Sequence, residues 1–459
     1  MANTKSKIAL TTFRSIWFLY LTLFYCTGVL TANLDNLILF LTGTTEFAIG
    51  LSIAAFYIIS IVSSLFFGYF CDKISEKIPR KWLFFYTNII WIIGYGLASL
   101  AVNYVFYLIF ISIAAIGSGA FLPIGYSIIG DFFPPKDRAK KYGTMQVSLA
   151  LGVGVGVILG GSLGTYLGSG GWRYAYGAGF FLGLIPLSIY GLKAVNPKRA
   201  SSEPEFIDLK ASIEYNYKIT FSNLLTLFKK KSVLSVLLYV LCQGIAISTI
   251  ALWGIFYLGI KISGGGSELY ASILYLISGA GGLPGVIIGG RLGDKYYNSG
   301  KLKGRVIFSF IGVVLGSLCL LGFYLLPFFT GTIIEITFSW IIFIILGFMG
   351  YFFINFSVGN QFAIYSEVSA PEVRNTTNAF NSVMVNIGAI IGNLVLSSLI
   401  EQDISLLPFS VSLVLLINLL GGTFWIVTYY YYPKEAKQFR ELMRKRRSEI
   451  EDKNKHFLQ

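Results

Sequence analysis

Two charge-rich stretches interrupt the apolar sequence with the same order of glycine, aspartate and basic residues. Both follow the pattern G-x-x-x-D-K, and the second copy begins 222 residues after the first. A glycine lets helices approach closely, and an aspartate that follows it can face the positive N-terminal end of a neighbouring helix. These residues therefore suit ion contacts at one end of a helical bundle. They are Gly68, Asp72, Lys73, Arg80 and Lys81 in the first copy and Gly290, Asp294, Lys295, Lys303 and Arg305 in the second.

A second pair of matching segments supports an internal repeat. DFFPPKDR runs from Asp131 to Arg138 and EVSAPEVR from Glu367 to Arg374, so that acid, proline and arginine align 236 residues apart. Two ordered pairs with steady offsets indicate a parallel repeat, in which both halves start on the same side of a membrane. The same offset relates Gly152 to Gly388 and Gly156 to Gly392.

One acidic residue lies where a charge would be costly. Asp35, in ANLDNLILF, falls in the second half of the first predicted membrane span. An ionisable group inside a membrane is a candidate for proton coupling or solute binding. If that helix ends earlier, Asp35 is instead a loop residue, and we favour the buried position.

Uncharged polar residues in the first, seventh, tenth and eleventh spans would supply a cavity between the halves. Each of them could equally bond a neighbouring helix. No basic residue lies in the middle of a span, which favours a neutral, amphipathic or cationic solute over phosphate or sulfate. The candidates are Asn33, Asn36, Gln243, Trp253, Asn355, Asn360, Gln361, Asn381 and Asn386.

The composition indicates that these residues belong to a membrane protein. Of 459 residues, 55% are hydrophobic and 13% are charged, whereas about a quarter are charged in soluble proteins. The net charge of +14 comes from short connecting segments, which is typical of the positive-inside pattern rather than of nucleic-acid binding.

Four cysteines without a CxxC pair and a single histidine, His456, predict no zinc site. With no catalytic constellation and no nucleotide-binding loop, we predict no enzyme activity and no cofactor.

Runs of about 20 apolar residues predict twelve spanning helices. A polar segment at 196–231 divides them into six plus six. We therefore predict an all-α integral membrane protein of two pseudo-symmetric bundles, 1–195 and 233–432, with a cytoplasmic linker at 196–232 and a basic tail at 433–459. The predicted spans are 14–41, 47–70, 82–102, 104–131, 141–166, 173–195, 233–260, 267–290, 305–327, 335–366, 376–399 and 405–431.

Basic residues sort to one side of these spans, with Arg173 and Lys261 as the exceptions. The pattern predicts that both termini are cytoplasmic and that the protein lies in the cell membrane. Linker residues at helical spacing, followed by three lysines, predict an amphipathic helix that binds anionic lipid at the cytoplasmic face. The same attraction explains a basic cluster in the tail better than a protein partner does. These residues are Phe221, Leu224, Leu225 and Phe228 in the linker and Arg444, Lys445, Arg446 and Arg447 in the tail.

Together these motifs resemble the major facilitator superfamily of secondary transporters over essentially the whole chain. The resemblance rests on the G-x-x-x-D-K-x-x-x-x-x-P-R-K loop, its second copy, and the acid-x-x-x-P-x-x-R turns after the fourth and tenth spans. The sequence GWR, from Gly171 to Arg173, is also common in the family. The motifs are specific for the superfamily and assign no subfamily.

The resemblance implies a role for the repeated acids. Asp72 would face the start of the eleventh helix near Asn375 to Thr377, and Asp294 the start of the fifth near Lys140 to Gly143. These contacts would join the halves on the cytoplasmic side and form a conformational latch that favours the outward-open state. Asp131 with Arg138, and Glu367 with Arg374, would brace the same face. Alternatively, the basic residues of the loops are only topology signals.

The sequence departs from two family patterns that accompany export. Family antiporters often carry a proline where this chain has Val157, and many proton-coupled drug exporters carry an arginine where it has Ile113. At Asp35, the acid-arginine pair of several organic-anion and lipid transporters of the family is changed, because Asn36 replaces the arginine. Val157 weakens the argument for antiport, and Ile113 leaves proton-driven drug export by that route unsupported.

The sequence as a whole predicts a secondary transporter that moves a small organic solute by alternating access and acts as a monomer, with proton coupling through Asp35 as a sub-hypothesis. A non-transporting receptor or a facilitative uniporter on the same fold is the alternative. The substrate, the direction of transport and the coupling ion stay open.

Overall fold

The part of the chain that the structure describes is almost entirely helical. In this computed structural model, residues 2–31, 33, 36–37, 40–44, 46–74, 77–203, 217, 227–262 and 267–458 are described. The N-terminal half holds α1 (Ala2–Thr31), α2 (Glu46–Ile74), α3 (Arg80–Ala98), α4 (Tyr104–Phe132), α5 (Pro135–Leu167) and α6 (Gly171–Lys193). The C-terminal half holds α7 (Lys231–Ile262), α8 (Ser267–Ala280 and Gly282–Asn298), α9 (Gly304–Leu325), α10 (Ile333–Ile354 and Phe356–Val368), α11 (Arg374–Gln402) and α12 (Leu407–Gly421 and Phe424–Leu458). Short 3₁₀ turns lie at Gly168–Gly170, Pro371–Val373 and Ile404–Leu406.

The prediction of an all-α integral membrane fold is confirmed. Eleven segments of the described residues are long and apolar enough to cross a membrane. The exception among the twelve is α3, a helix of 19 residues that begins with Arg80 and Lys81. The prediction for the first span is wrong at its end, because α1 stops at Thr31 rather than at residue 41. Asp35 lies outside the described residues.

Three membrane-spanning helices of the C-terminal half are each divided into two segments. The breaks lie at Gly281 in α8, at Asn355 in α10 and at Gly422 in α12. Beyond its break, α12 continues as one helix to Leu458, so the described part of the basic tail is a helical extension of the bundle. In the N-terminal half, α2, α4 and α5 each run unbroken for 29 to 33 residues.

The internal repeat is visible in matching helix contacts. Helix α5 packs along α1 as α11 packs along α7. A methyl group at Gly156 would overlap the carbonyl oxygen of Tyr25, and one at Gly392, 236 residues later, would overlap that of Ile245. Glycine is therefore required at equivalent positions because the backbones of the paired helices are in contact.

The two halves meet at one end of the bundle, which we call the charged face. It comprises residues 131–138 and 367–374, the α2–α3 and α8–α9 connections, and the C-terminal part of α12. Here α2 packs against α11, and α5 packs against α8 and α10. A Cβ at Gly68 would lie 2.6 Å from the Cβ of Ala379, and one at Gly290 would lie 3.0 Å from the carbonyl oxygen of Ala139. Both repeated glycines thus permit close contact between the halves.

Buried apolar residues form two large clusters. The first fills the N-terminal half and continues into α10 through Phe362 and Tyr365, near the charged face. The second lies within the C-terminal half, around Phe323 and Phe343. The halves therefore share a core near the charged face, while the second cluster belongs to one half alone.

We expect Gly156→Ala to destabilise the protein and Gly154→Ala to be tolerated. The added methyl group overlaps the α1 backbone at residue 156, whereas nothing lies within 4 Å of it at residue 154. Overpacking costs about 1–3 kcal/mol, while alanine in an open helical position gains up to about 1 kcal/mol over glycine. Thermal unfolding of the purified protein measures both effects. Equal unfolding temperatures for the two variants would contradict the α1–α5 contact.

Candidate functional site

Asp72 joins α2 to the first turn of α11. Its carboxylate accepts hydrogen bonds from the backbone N–H of Thr376 (2.9 Å), the Thr376 hydroxyl (2.8 Å) and the Asn375 side-chain amide. The positive end of the α11 dipole favours a carboxylate at this point. Arg199 of the linker adds an ion pair at 3.2 Å. The contact lies where the family resemblance placed it.

Asp294 makes the corresponding contact from α8 to α5. It accepts a hydrogen bond from the backbone N–H of Lys140 (3.0 Å) and pairs with Arg305 at 2.7 Å. Arg305 also donates to the carbonyl oxygen of Pro135 (2.7 Å), so it reaches across the interface as well. The two copies thus differ in their counterion, because Asp72 receives its arginine from the linker and Asp294 from α9.

The acids and arginines of the second pair of motifs lie at the charged face, but each acid pairs with an arginine from another segment. Asp131 pairs with Arg80 (2.7 Å) of its own half and with Arg374 (2.8 Å) of the other half, rather than with Arg138. Glu367 pairs with Arg305 (3.0 Å) rather than with Arg374. Arg138 and Arg374 donate to the backbone carbonyls of Gly130 and Ser366 beside the two acids. Both arginines also pair with a third acid, Glu203.

A linker residue that sequence reasoning missed lies at the centre of this network. Glu203 is fully buried and pairs with Arg138 of α5 (2.6 Å), Arg374 of α11 and Arg440 of α12 (2.9 Å). Burial alone would raise the pKa of this carboxyl, but the three arginines outweigh it and lower the pKa to about 2. No local spacing marks a glutamate in a polar linker as buried, so the sequence carried no signal for it.

The C-terminal part of α12 lies against the charged face. Arg440 also donates to the Tyr297 hydroxyl (3.0 Å), and Arg446 binds Glu372 through two hydrogen bonds of 2.9 and 3.0 Å. Phe439 and Met443 are buried in a small cluster beside the linker. Arg446 therefore binds a carboxylate of the same chain, which corrects its assignment to lipid.

The remaining lipid predictions stay open. Arg447 pairs with Glu451 at 2.9 Å on the surface of the same helix. Of the predicted linker helix, residues 227–229 are described as helical, and the Phe228 ring lies 4.8 Å from the Phe380 ring of α11. Phe221, Leu224 and Leu225 lie outside the described residues.

The two motif lysines lie outside the ion network. Lys73 and Lys295 are exposed, and the Lys73 ammonium is 5.7 Å from the centre of the Tyr69 ring. The exposure of both lysines favours the interpretation that the basic loop residues only set the orientation of the helices in the membrane. Arg80 and Arg305, by contrast, are buried within the network.

An aromatic layer closes the interface next to the ions. The rings of Tyr126 and Tyr142 stack at 5.2 Å, and Phe362 of α10 packs 4.5 Å from Tyr126. The Tyr142 hydroxyl shares a hydrogen bond of 2.8 Å with that of Ser366. Apolar and ionic contacts thus join the halves at the same end.

Several predicted cavity residues make hydrogen bonds within their own half. Asn36 donates to Asn33 (3.1 Å), whose side chain lies against Gly160 and Gly164 of α5. Asn360 donates to the Gly289 carbonyl (3.2 Å), which links α10 to α8. Asn355 donates to the carbonyl of Tyr351 (2.7 Å) at the break in α10. Of the others, Gln361 and Asn381 are buried and Gln243, Trp253 and Asn386 are partly exposed.

A pocket that the sequence candidates missed lies in the N-terminal half, towards the end opposite the charged face. The centres of water-sized molecules have about 60 Å³ of room in it. Tyrosines within apolar helices resemble ordinary core residues in a sequence, which is why they were not selected. We call it the tyrosine pocket, and it is lined by Thr27, Leu30, Ser52, Ile53, Phe56, Tyr57, Tyr95, Tyr107 and Ile111.

Comparisons with known proteins agree with this architecture. The model of the Major Facilitator Superfamily matches residues 16–393. Multidrug resistance protein 3 of Bacillus subtilis (strain 168) is 33% identical over 109 residues, which cover 24% of this chain and 20% of that protein. The chain matches only about a fifth of the length of such curated relatives.

Two solved transporters share the fold at low sequence identity. The proton:xylose symporter XylE bound to 6-bromo-6-deoxy-D-glucose has a TM-score of 0.68 and 16% identity, over 92% of this chain and 95% of that one. FucP in the outward conformation has a TM-score of 0.64 and 15% identity, over 93% and 99% of the two chains.

We expect Glu203→Gln to lower the stability of the folded protein by about 3–5 kcal/mol at pH 7, because three buried arginines lose their shared anion. The pKa of Glu203 is lower in the folded protein than its ordinary value of 4.5. The stabilisation is therefore fully present above pH 4.5 and is lost as the pH falls towards 2. Thermal unfolding of wild type and variant from pH 3 to pH 8 measures this difference.

Glu451→Gln is the matched control for this experiment. It removes an acid from a partly exposed pair on one helix, which is worth about 0.3–0.5 kcal/mol. The network would be contradicted if Glu203→Gln lost no more stability than Glu451→Gln. It would also be contradicted if the stability difference between wild type and Glu203→Gln grew as the pH fell.

Proposed function

The chain belongs to the Major Facilitator Superfamily and is a multi-pass integral membrane protein, and from this premise we propose that it is a secondary transporter of a small organic solute that works by alternating access. One observation supports this most. Among the described residues, the hydrogen bonds, ion pairs and ring contacts that join the two halves lie at the charged face and its aromatic layer. Contacts confined to one end are what a transporter closed on one side requires.

Charge distribution suggests which side is closed. The charged face carries most loop lysines and arginines, and the positive-inside rule places such loops in the cytoplasm. We therefore assign this conformation to the outward-open state, with both termini cytoplasmic and the protein in the cell membrane. The similarity to FucP in the outward conformation is in keeping with this assignment.

The proposed latch consists of Asp72 and Asp294 together with the ion pairs around Asp131, Glu203 and Glu367. Removing one partner of a buried ion pair costs about 3–5 kcal/mol, because the other charge is left without compensation. The inward-facing state must therefore solvate these groups or give them new partners. A bound solute shifts the equilibrium only by the difference in its affinity for the two states.

We expect the double variant Asp72→Asn, Asp294→Asn to populate the inward-facing state more than the wild type does. The amides accept weaker hydrogen bonds from α11 and α5. The reporter is Ser366→Cys, a buried position at the interface, in a variant whose four native cysteines are replaced. Labelling by a membrane-impermeant maleimide in inside-out vesicles should be about 5- to 10-fold faster, equivalent to about 1–1.4 kcal/mol.

The control is Lys73→Gln, Lys295→Gln, which changes the exposed residues of the same motifs. Its labelling rate should match the wild type. Equal rates in all three proteins would remove the aspartates from the latch.

Proton coupling through Asp35 is a separate part of the proposal. A solute that raises the unfolding temperature in a screen is tested for uptake into proteoliposomes under an imposed pH gradient. We expect Asp35→Asn to abolish accumulation driven by the gradient while solute exchange at equal pH continues. Glu335→Gln changes an exposed acid at the start of α10 and should leave accumulation intact. Unchanged accumulation in Asp35→Asn would exclude Asp35, and binding without any flux would favour a receptor.

A further inference from the structure

The tyrosine pocket has a wall that neighbouring aromatic residues hold in place. The Tyr95 ring stacks on Tyr176 of α6 with centroids 5.5 Å apart. The Tyr107 hydroxyl lies 3.4 Å from the Tyr176 hydroxyl, and its ring packs edge-on to Trp172 at 6.1 Å. Tyr95 and Tyr107 are buried, so a ligand would meet side chains that are already ordered. Preorganisation of this kind lowers the entropic cost of binding.

One wall of the pocket lies on the face of α2 that is turned towards the other half. Tyr57 lies eleven residues before Gly68 on α2, which is close to three helical turns, so both are on the same face of that helix. Gly68 contacts α11 of the other half. At a rise of about 1.5 Å per residue, Tyr57 is roughly 22 Å from Asp72 along the axis. The pocket is therefore on the side where the described residues leave the halves unjoined.

The lining residues define the chemistry of a ligand. None of the nine carries a charge, and they comprise three phenols, two aliphatic hydroxyls and four apolar side chains. The Ser52 hydroxyl already donates to the carbonyl of Ala48 (3.2 Å). The Tyr57 side chain is only partly buried, and its hydroxyl bonds no other described residue, so it can bond a ligand. A charged solute would lose its hydration here without gaining a counterion.

We propose that the tyrosine pocket is the solute site of the N-terminal half and takes an uncharged molecule that combines an aromatic ring with a hydroxyl group. This inference rests on the proposed transport function, for which it names the substrate class. The ring packs against the parts of Tyr95 and Tyr107 that line the pocket, and Tyr57 bonds the hydroxyl. Aromatic pairs prefer such offset or edge-on contacts at centroid distances of about 4.5–7 Å.

Three probes that share one ring and differ in charge test the proposal. They are 4-hydroxyphenylethanol, which is neutral, tyramine, a cation, and 4-hydroxyphenylacetate, an anion. Isothermal titration of the purified full-length protein should detect the neutral probe, with each charged probe at least about tenfold weaker. Tighter binding of tyramine or of the anion would overturn the proposal, as would no binding of the neutral probe.

Two substitutions locate the binding site. Tyr57→Phe should weaken binding of 4-hydroxyphenylethanol roughly 3- to 10-fold through the loss of one hydrogen bond. Ile111→Trp should abolish it by filling the pocket. Tyr69→Phe, which changes an exposed tyrosine on the same helix, is the control and should bind like the wild type. Unchanged binding in both Tyr57→Phe and a folded Ile111→Trp would overturn the assignment.

Flux measured in proteoliposomes separates this inference from the transport function. Binding of the neutral probe without flux would support the pocket and overturn transport. Flux of another solute, with no binding of the neutral probe, would overturn the pocket and support transport.

Discussion

The structure depends on one constraint, which is that charges removed from water must be paired with one another. At the charged face, Glu203 satisfies three arginines that come from the two halves and from the C-terminal helix. Asp131 and Glu367 satisfy Arg80 and Arg305 in equivalent positions of the two halves. The position of each helix end is fixed by a partner on another element, so the linker and α12 are integral parts of the closed interface.

The two ends of the bundle therefore differ in the kind of residues that they contain. Specific, directional contacts of buried charges hold the halves together at the charged face, and the aromatic layer of Tyr126, Tyr142 and Phe362 covers them. The opposite end of the N-terminal half contains the tyrosine pocket, whose described lining is uncharged. In our proposal, the charged residues form the conformational latch and the neutral aromatic surface forms the solute site.

The sequence predicted the fold well because hydrophobic length and repeated motifs report directly on membrane helices. A carboxylate favours the positive end of a helix, and the family resemblance indicated which helices, α11 for Asp72 and α5 for Asp294. Sequence reasoning failed for Glu203 and for the partners of Arg138, because those contacts join segments far apart in the chain. It selected amides such as Asn33 and Asn360 for the cavity, and of these Asn360 bonds a neighbouring helix while Asn33 bonds residues of its own segment. A polar side chain in a membrane helix requires a hydrogen-bond partner. The sequence does not show whether that partner is a solute or another helix.

The breaks at Gly281, Asn355 and Gly422 give the two repeats different mechanical properties, although their topology is the same. An interrupted helix lacks part of its hydrogen-bond ladder and bends there at low energetic cost, whereas the continuous α2 and α5 resist bending. The breaks in α8 and α10 divide the segments that touch α5 from the rest of the C-terminal half. In the alternating-access motion that we propose, the breaks in α8 and α10 are therefore the points at which the C-terminal half would bend when the charged face opens.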